Sequence, residues 1–387
     1  MVTGSFMPDL VVSINSLVFL YYIIKNKIYF FLNQFFFKYF IIFYIYLNIS
    51  SFLSVDILFS LKSTLPYFRF FILVLLIYYL CENVKNFKKF FFISLFLTLF
   101  VLVLDGYIQY IYGTNLQGYL ISPSSRLGGL FGDEKILGSF LSRHLPLLIF
   151  FLFNLNLLSS RYKYFFIFFI TLTVILIFLS GERASFVFSL LTIIYLIILT
   201  KKMRLLGLIT LSTSIIIIFS QTYFNASIKN RMINATLSGF SSTVYISKIH
   251  ERYFFTALDL FKENIITGTG PNTFRKTCVN SKIINKACST HPHNTYIQLL
   301  SETGIIGFFL VFIVFLYFIF VSLKQFYYSI LKKTYLDDDQ VCLVSSFLIT
   351  LLPIATSGNF FNNFLSIIYF LPIGFYLSSR LKKNDNF

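Results

Sequence analysis

Long apolar stretches recur along the chain, divided by short polar gaps. Runs at 8–24, 39–55, 67–81, 90–105, 137–155, 164–180, 184–200, 205–220, 302–323, 341–357 and 360–378 carry very little charge. A membrane-spanning helix needs roughly 20 mainly apolar residues, and these runs approach or reach that length. They are continuous rather than alternating, so they predict helices and not the strands of a barrel. The expected fold class is all-α, a polytopic transmembrane helix bundle of about 11–12 spans with a large helical outward loop. The twelfth span depends on how the apolar stretch 28–37 is used.

The gaps sort by charge. Lys25 and Lys27, Lys85 with Lys88 and Lys89, Arg161 and Lys163, and Lys201 with Lys202 and Arg204 fall in alternate gaps. Lys324 with Lys332 and Lys333, and the tail with Arg380, Lys382 and Lys383, continue the pattern. The positive-inside rule puts these gaps in the cytoplasm. Those at 105–136, 181–183, 221–301 and 357–360 then face outward. Two of them are long, and long loops are often functional. The organisation expected is 1–104 as N-terminal helices, 105–136 as a first outward loop and 137–220 as central helices. A large outward loop, 221–301, carries the candidate chemistry, and 302–387 forms the C-terminal helices and cytoplasmic tail.

Composition supports this reading. Hydrophobic residues make up 57% of the chain and charged ones 12%, where a soluble domain carries about 25% charged. Trp is absent, so the 26 Tyr must supply most of any aromatic belt. The net charge of +17 does not point to nucleic acid, because most of the cations sit in short gaps between spans. Met1 to Asp9 has no positive segment of the kind that opens a cleavable signal peptide.

Candidate chemistry concentrates on the outward side. His291-Pro292-His293-Asn294 stands where the large loop re-enters the membrane. Asn294 is a good helix N-cap, and Asn294, Gln298 and Glu302 follow at i, i+4 and i+8 on one side of the expected helix. Arg183 lies in the tight turn Ser180-Gly181-Glu182-Arg183, where Glu182 is a possible ion partner. Arg252 lies in a stretch whose Phe254, Leu258 and Phe261 predict an amphipathic helix on the membrane surface. Gly268-Thr269-Gly270 is a turn, and Arg126 precedes Gly128-Gly129 in the first loop. Arg suits phosphate oxygens and His suits proton transfer near neutral pH. An oxidising outward compartment favours a disulfide between Cys278 and Cys288; two free thiols are the alternative, and a zinc site shared with His291 and His293 would have an unusual spacing. There is no Walker loop, no His-Glu-x-x-His and no paired carboxylate of glycosidase type, so neither a metal nor a cofactor is expected.

These motifs together resemble the O-antigen ligase and polymerase superfamily of bacterial inner-membrane glycosyltransferases. His293-Asn294 followed by Gly304-Ile305-Ile306-Gly307 is similar to its signature at loop re-entry. Arg252 with Gly268-Thr269-Gly270 resembles its Arg helix and Gly-x-Gly turn. Ser180-Gly181-Glu182-Arg183 resembles a further turn, and Asp105-Gly106, Gln109-Tyr110 and Arg126-Leu127-Gly128-Gly129 its first loop. The resemblance covers roughly 60–378.

It implies a multi-pass protein of the inner (cytoplasmic) membrane with its active face in the periplasm. The donor would be a glycan on undecaprenyl diphosphate. The acceptor would be a sugar hydroxyl on lipid A–core for a ligase, or another lipid-linked glycan for a polymerase. His293 would be the general base. Arg183 and Arg252 would bind the diphosphate, transfer would invert the anomeric carbon, and no nucleotide would be required. Arg126, His291, Asn294, Glu302, Gly268 and Gly270 would serve substrate binding, with His291 and Glu302 tuning His293. Phe308-Phe309-Leu310 after Gly307 departs from some ligases and leaves ligase and polymerase both open. A flippase of lipid-linked sugars, or a non-catalytic envelope scaffold, is the reading from another class. A transporter would place its charges mid-membrane and often show repeats, neither of which stands out.

Overall fold

The computed structural model describes residues 6–29, 31, 34–122, 126–159, 161–242, 248–283 and 286–381. Helices α1 (Phe6–Lys25), α2 (Phe35–Phe52), α3 (Ile57–Thr64), α4 (Phe68–Asn83) and α5 (Phe87–Tyr112) form the first part. A 3₁₀ turn at Leu65–Tyr67 runs α3 straight into α4. Then come α6 (Leu137–Asn154), α7 (Lys163–Leu179), α8 (Arg183–Leu199) and α9 (Arg204–Phe224). The outer segment holds α10 (Ala226–Lys229), a π-helical turn at Asn230–Asn234, α11 (Ala235–Ser242), α12 (Lys248–Glu263) and α13 (Phe274–Asn280). Three helices end the chain: α14 (Thr295–Ile330), α15 (Asp338–Thr350) and α16 (Asn363–Leu381). Among the described residues, seven helical stretches are long and apolar enough to cross a membrane, with α7 and α8 apolar but shorter. Every expected run falls mainly on a helix. The stretch 28–37 adds no further span, because α2 starts at Phe35 and absorbs its end.

The core forms around α6, whose spanning window is 89% buried, and α15 and α8 pack on it. On the other side α4 packs on α16. Phe from several helices fills the space between, as with Phe40 on Phe71 at 4.5 Å and Phe318 on Phe347 at 4.2 Å. Rings at these separations add modest attraction to their burial.

Three boundaries differ from expectation, each for a local reason. α5 continues to Tyr112, because Asp105 and Gln109 are buried in the bundle and bond to the loop rather than leave the helix. Gly113, in the left-handed conformation (φ 82°), ends it. The run at 341–357 stops being helical at Thr350; Pro353 follows, and 351–362 forms an irregular segment longer than the expected 357–360. α12 buries Phe254, Ala257 and Leu260, the last two against Phe274 and Cys278, a phase different from Phe254, Leu258 and Phe261. It packs on α14 and α13 as part of an outer cap and does not lie alone on the membrane surface.

Candidate functional site

The outer cap is fastened to the bundle by a break in α14. At Gly304 the backbone leaves helical geometry (φ 64°, ψ −169°). The N–H groups of Thr269 and Gly270 donate to the carbonyls of Ser301 and Glu302 at 2.9 and 2.8 Å, and Ile305 N–H turns to the Ile265 carbonyl at 2.8 Å. A Cβ on Gly304 would stand 2.2 Å from the Ile266 carbonyl oxygen, and one on Gly270 1.9 Å from Ser54 Oγ. Neither position has room for a side chain, and both have positive φ. The Glu302 carboxylate accepts the N–H groups of Asn272 and Phe274, each at 2.9 Å, and the amide of Gln298 at 2.9 Å. Gln298 also donates to Asn359 at 2.7 Å. Glu302 thus holds the backbone of the cap, and Gln298 ties it to Asn359.

The His strap ends two residues before α14. Asn294 caps that helix, accepting from Tyr296 and Ile297 at 3.0 and 3.1 Å, and its amide donates to the Pro353 carbonyl at 2.6 Å. His293 has φ 62°, an uncommon conformation for a residue with a side chain and one that gathers at functional sites. It is held there from behind: Ser357 N–H donates to the His293 carbonyl at 2.8 Å. The His291 ring bonds the Ser357 carbonyl through Nε2 at 3.3 Å, so Nε2 carries the proton and Nδ1 accepts from Thr290 at 2.9 Å. The His293 ring lies 4.1 Å from that of His291, 5.1 Å from His250 and 5.5 Å from Tyr253. Burial, with the neighbouring His291 and His250, pushes His293 down to about 3. Burial brings His291 down to about 4, against the pull of its bond to Ser357. All three rings are therefore neutral at pH 7.

A cationic cluster stands beside the strap. Glu182, buried in the α7–α8 turn, accepts the first N–H groups of α6 from Gly138 and Ser139 at 2.8 and 3.1 Å and the Ser185 hydroxyl at 3.1 Å. Its ion partner is Arg126 at 3.9 Å, not the adjacent Arg183. Arg183 reaches across to α11 and donates to the Ala235 carbonyl at 3.1 Å. Arg231, on the π-helical turn, donates to the Gly181 carbonyl at 2.8 Å. Burial and the charges of Arg126 and Arg183 lower Arg231 to about 10, with Glu182 opposing. Arg126 thus pairs with Glu182, and Arg231 feels the charges of Arg126, Arg183 and Glu182 together. Burial, and after it the charge of Arg183, lowers His250.

Residues 166–313 match the family model described as O-Antigen ligase. That stretch is similar to the O-antigen ligase family. No curated protein matches the chain. The matched stretch runs from α7 to just beyond the Gly304 break, so it contains Arg183, Arg231, His250, Arg252, His291 and His293, while Arg126 lies before it. It marks a multi-pass membrane protein with a glycosyltransferase-like activity on lipid-linked glycans in the general sense.

Within this fold the expected site residues divide. Arg126 and Arg183 meet at the cationic cluster, and His291 and His293 meet in the strap. Arg252 joins neither: it is exposed, about 200° around α12 from His250. Asn294, Glu302, Gly268 and Gly270 build the clamp and cap. Glu302 bonds none of the His rings, so the expectation that it tunes His293 fails on geometry. Cys278 and Cys288 are joined in a disulfide, which removes them as zinc ligands. The sequence reading missed Arg231, His250 and Tyr253. The i, i+3 spacing of His250 and Tyr253 was a usable signal once α12 is placed in its true phase. Arg231 had none, because a π-helical turn aims it.

Proposed function

We propose that the protein is an O-antigen ligase of the inner membrane, acting at the periplasmic face. It transfers a glycan from undecaprenyl diphosphate to a sugar hydroxyl of lipid A–core. The observation that carries this reading is the juxtaposition of an over-charged Arg126–Arg183–Arg231 cluster with a neutral, backbone-strained His293. The cluster receives the diphosphate and stabilises the charge that grows on it as the glycosidic C–O bond breaks. The leaving-group role expected of Arg252 falls to Arg126 and Arg231. His293 takes the acceptor's hydroxyl proton, and the acceptor oxygen attacks the anomeric carbon from the face opposite the diphosphate, with inversion. The bound diphosphate's negative charge raises the His293 pKa from its low resting position toward the range where a general base works well. The electron pair of the broken bond leaves on the diphosphate, so no nucleotide is consumed.

The test is complementation of a host lacking its own O-antigen ligase, with lipopolysaccharide read on a gel. Wild type restores a core-attached ladder, and His293→Ala at equal expression does not. Rescue only of a polymerase-deficient host would move the acceptor to a lipid-linked repeat unit. A His293→Ala ladder equal to wild type would overturn the mechanism.

A further inference from the structure

A groove of about 920 Å³ runs between α2, α4, α14, α15 and α16. None of these helices carries Arg126, Arg183 or Arg231. Its walls are aromatic and aliphatic, with Phe40, Phe318 and Phe370 among them. Among the described residues one charged side chain lines it, Arg380, at the C-terminal end of α16. Arg380 donates to the Tyr335 hydroxyl at 3.0 Å and lies 5.0 Å from that ring's centre. Lys324 stands 4.6 Å from the same ring. Two cations therefore converge on one end of an apolar groove. At the other end lies Tyr369, whose hydroxyl is 3.5 Å from Thr295 at the start of α14.

The dimensions select an occupant. Tyr369 and Arg380 are eleven positions apart on one helix, a rise of about 16 Å. One leaflet of a bilayer is about 15 Å of hydrocarbon, half of the ~30 Å core. The groove is thus one leaflet deep, apolar along its length and positive at the end where a head group would sit. It does not suit the tail of a donor held at the Arg cluster. Lys324 and Arg380 meet at Tyr335, at the end of the groove away from Thr295, so the phosphate of such a donor would be at the wrong end.

We propose that this groove binds an anionic phospholipid, with an acyl chain lying toward Tyr369 and the phosphate on Arg380 and Lys324. Cation-lined pockets between spans are known recognition sites for anionic head groups. A zwitterionic lipid of the same chains fills the groove equally but gains less from the two cations. The site is independent of the transfer chemistry and stands whether or not that reading holds.

The experiment is native mass spectrometry of the full chain in detergent, titrated separately with phosphatidylglycerol and phosphatidylcholine of identical chains. Wild type retains phosphatidylglycerol about fivefold more tightly, the scale of one surface cation on an anionic lipid. Arg380→Gln brings the two lipids to parity, and Arg380→Lys keeps the preference. Lys324→Gln lowers the preference as a second variant should Arg380→Gln fold poorly. Ile373→Trp, which fills the groove, weakens both lipids together. Equal retention of the two lipids by wild type would overturn the proposal. So would an undiminished preference in folded Arg380→Gln and Lys324→Gln, or unchanged binding in Ile373→Trp.

Discussion

The stretch 291–307 holds two polar clusters only a few helical turns apart, and they are built in opposite ways. Around Glu302 every contact is closed. The carboxylate takes three donors, Gln298 bridges it to Asn359, and the freed carbonyls of Ser301 and Glu302 are met by Thr269 and Gly270. Around His293 three imidazole rings and a phenol pack side by side, and the nearby Arg cluster carries more positive charge than Glu182 offsets. A saturated buried network holds a fold together. Unbalanced charge beside a strained backbone is costly, and an arriving anion relieves the cost. The difference teaches that a polar residue in a motif is assigned by what it already bonds, not by its chemistry alone.

The sharpest way to break this comparison is to truncate one member of each cluster. His293→Ala should lower turnover by about 10²–10⁴-fold, the usual worth of a positioned general base. Its melting temperature should stay near wild type. Arg231→Ala should cost about 10²-fold in kcat/KM, the scale of one charge-stabilising donor, and Arg231→Lys should recover part of it. A wild-type rate in Arg231→Ala would return the leaving-group role to Arg252. Glu302→Ala should behave in reverse. It leaves three buried donors unmet and should destabilise the protein by about 3 kcal/mol, seen in thermal unfolding, while the folded fraction keeps its rate. A stable but inactive Glu302→Ala would erase the distinction drawn here.

The smallest expected effect is a pH dependence of stability. Unfolded His titrates near 6.5, whereas His293 and His291 lie at about 3 and about 4 in the fold. Below pH 6.5 the unfolded chain binds protons that the folded chain refuses. Stability from these groups is full above about 6.5 and is lost progressively as pH falls toward 3. Melting scans at pH 7 and pH 4.5 should show a smaller drop in His291→Phe than in wild type. Equal drops would mean that the strap is not buried as described.

Most of the fold was legible because a bilayer demands about 20 apolar residues per span, and that demand leaves a plain record in the chain. The end of α15 was less so: the residues 351–357 are apolar enough to read as span, yet their carbonyls are used by Asn294 and Tyr296. In the site, His293 and Asn294 were legible from a local motif. Arg252 was placed with them by the family resemblance, but a helix sends neighbours two positions apart to opposite sides, and Arg252 lies two positions from His250. Arg231 comes to Gly181 across 50 positions through a π-helical turn, and no local pattern records such an approach.

The central claim separates binding from chemistry, and one measurement addresses it directly. Donor binding and donor turnover would be followed in the same purified preparation, with an undecaprenyl-diphosphate-linked glycan and lipid A–core as acceptor. The account predicts that His293→Ala binds the donor nearly as wild type does and releases no undecaprenyl diphosphate, while Arg231→Ala loses donor affinity. Release by His293→Ala at the wild-type rate would contradict it.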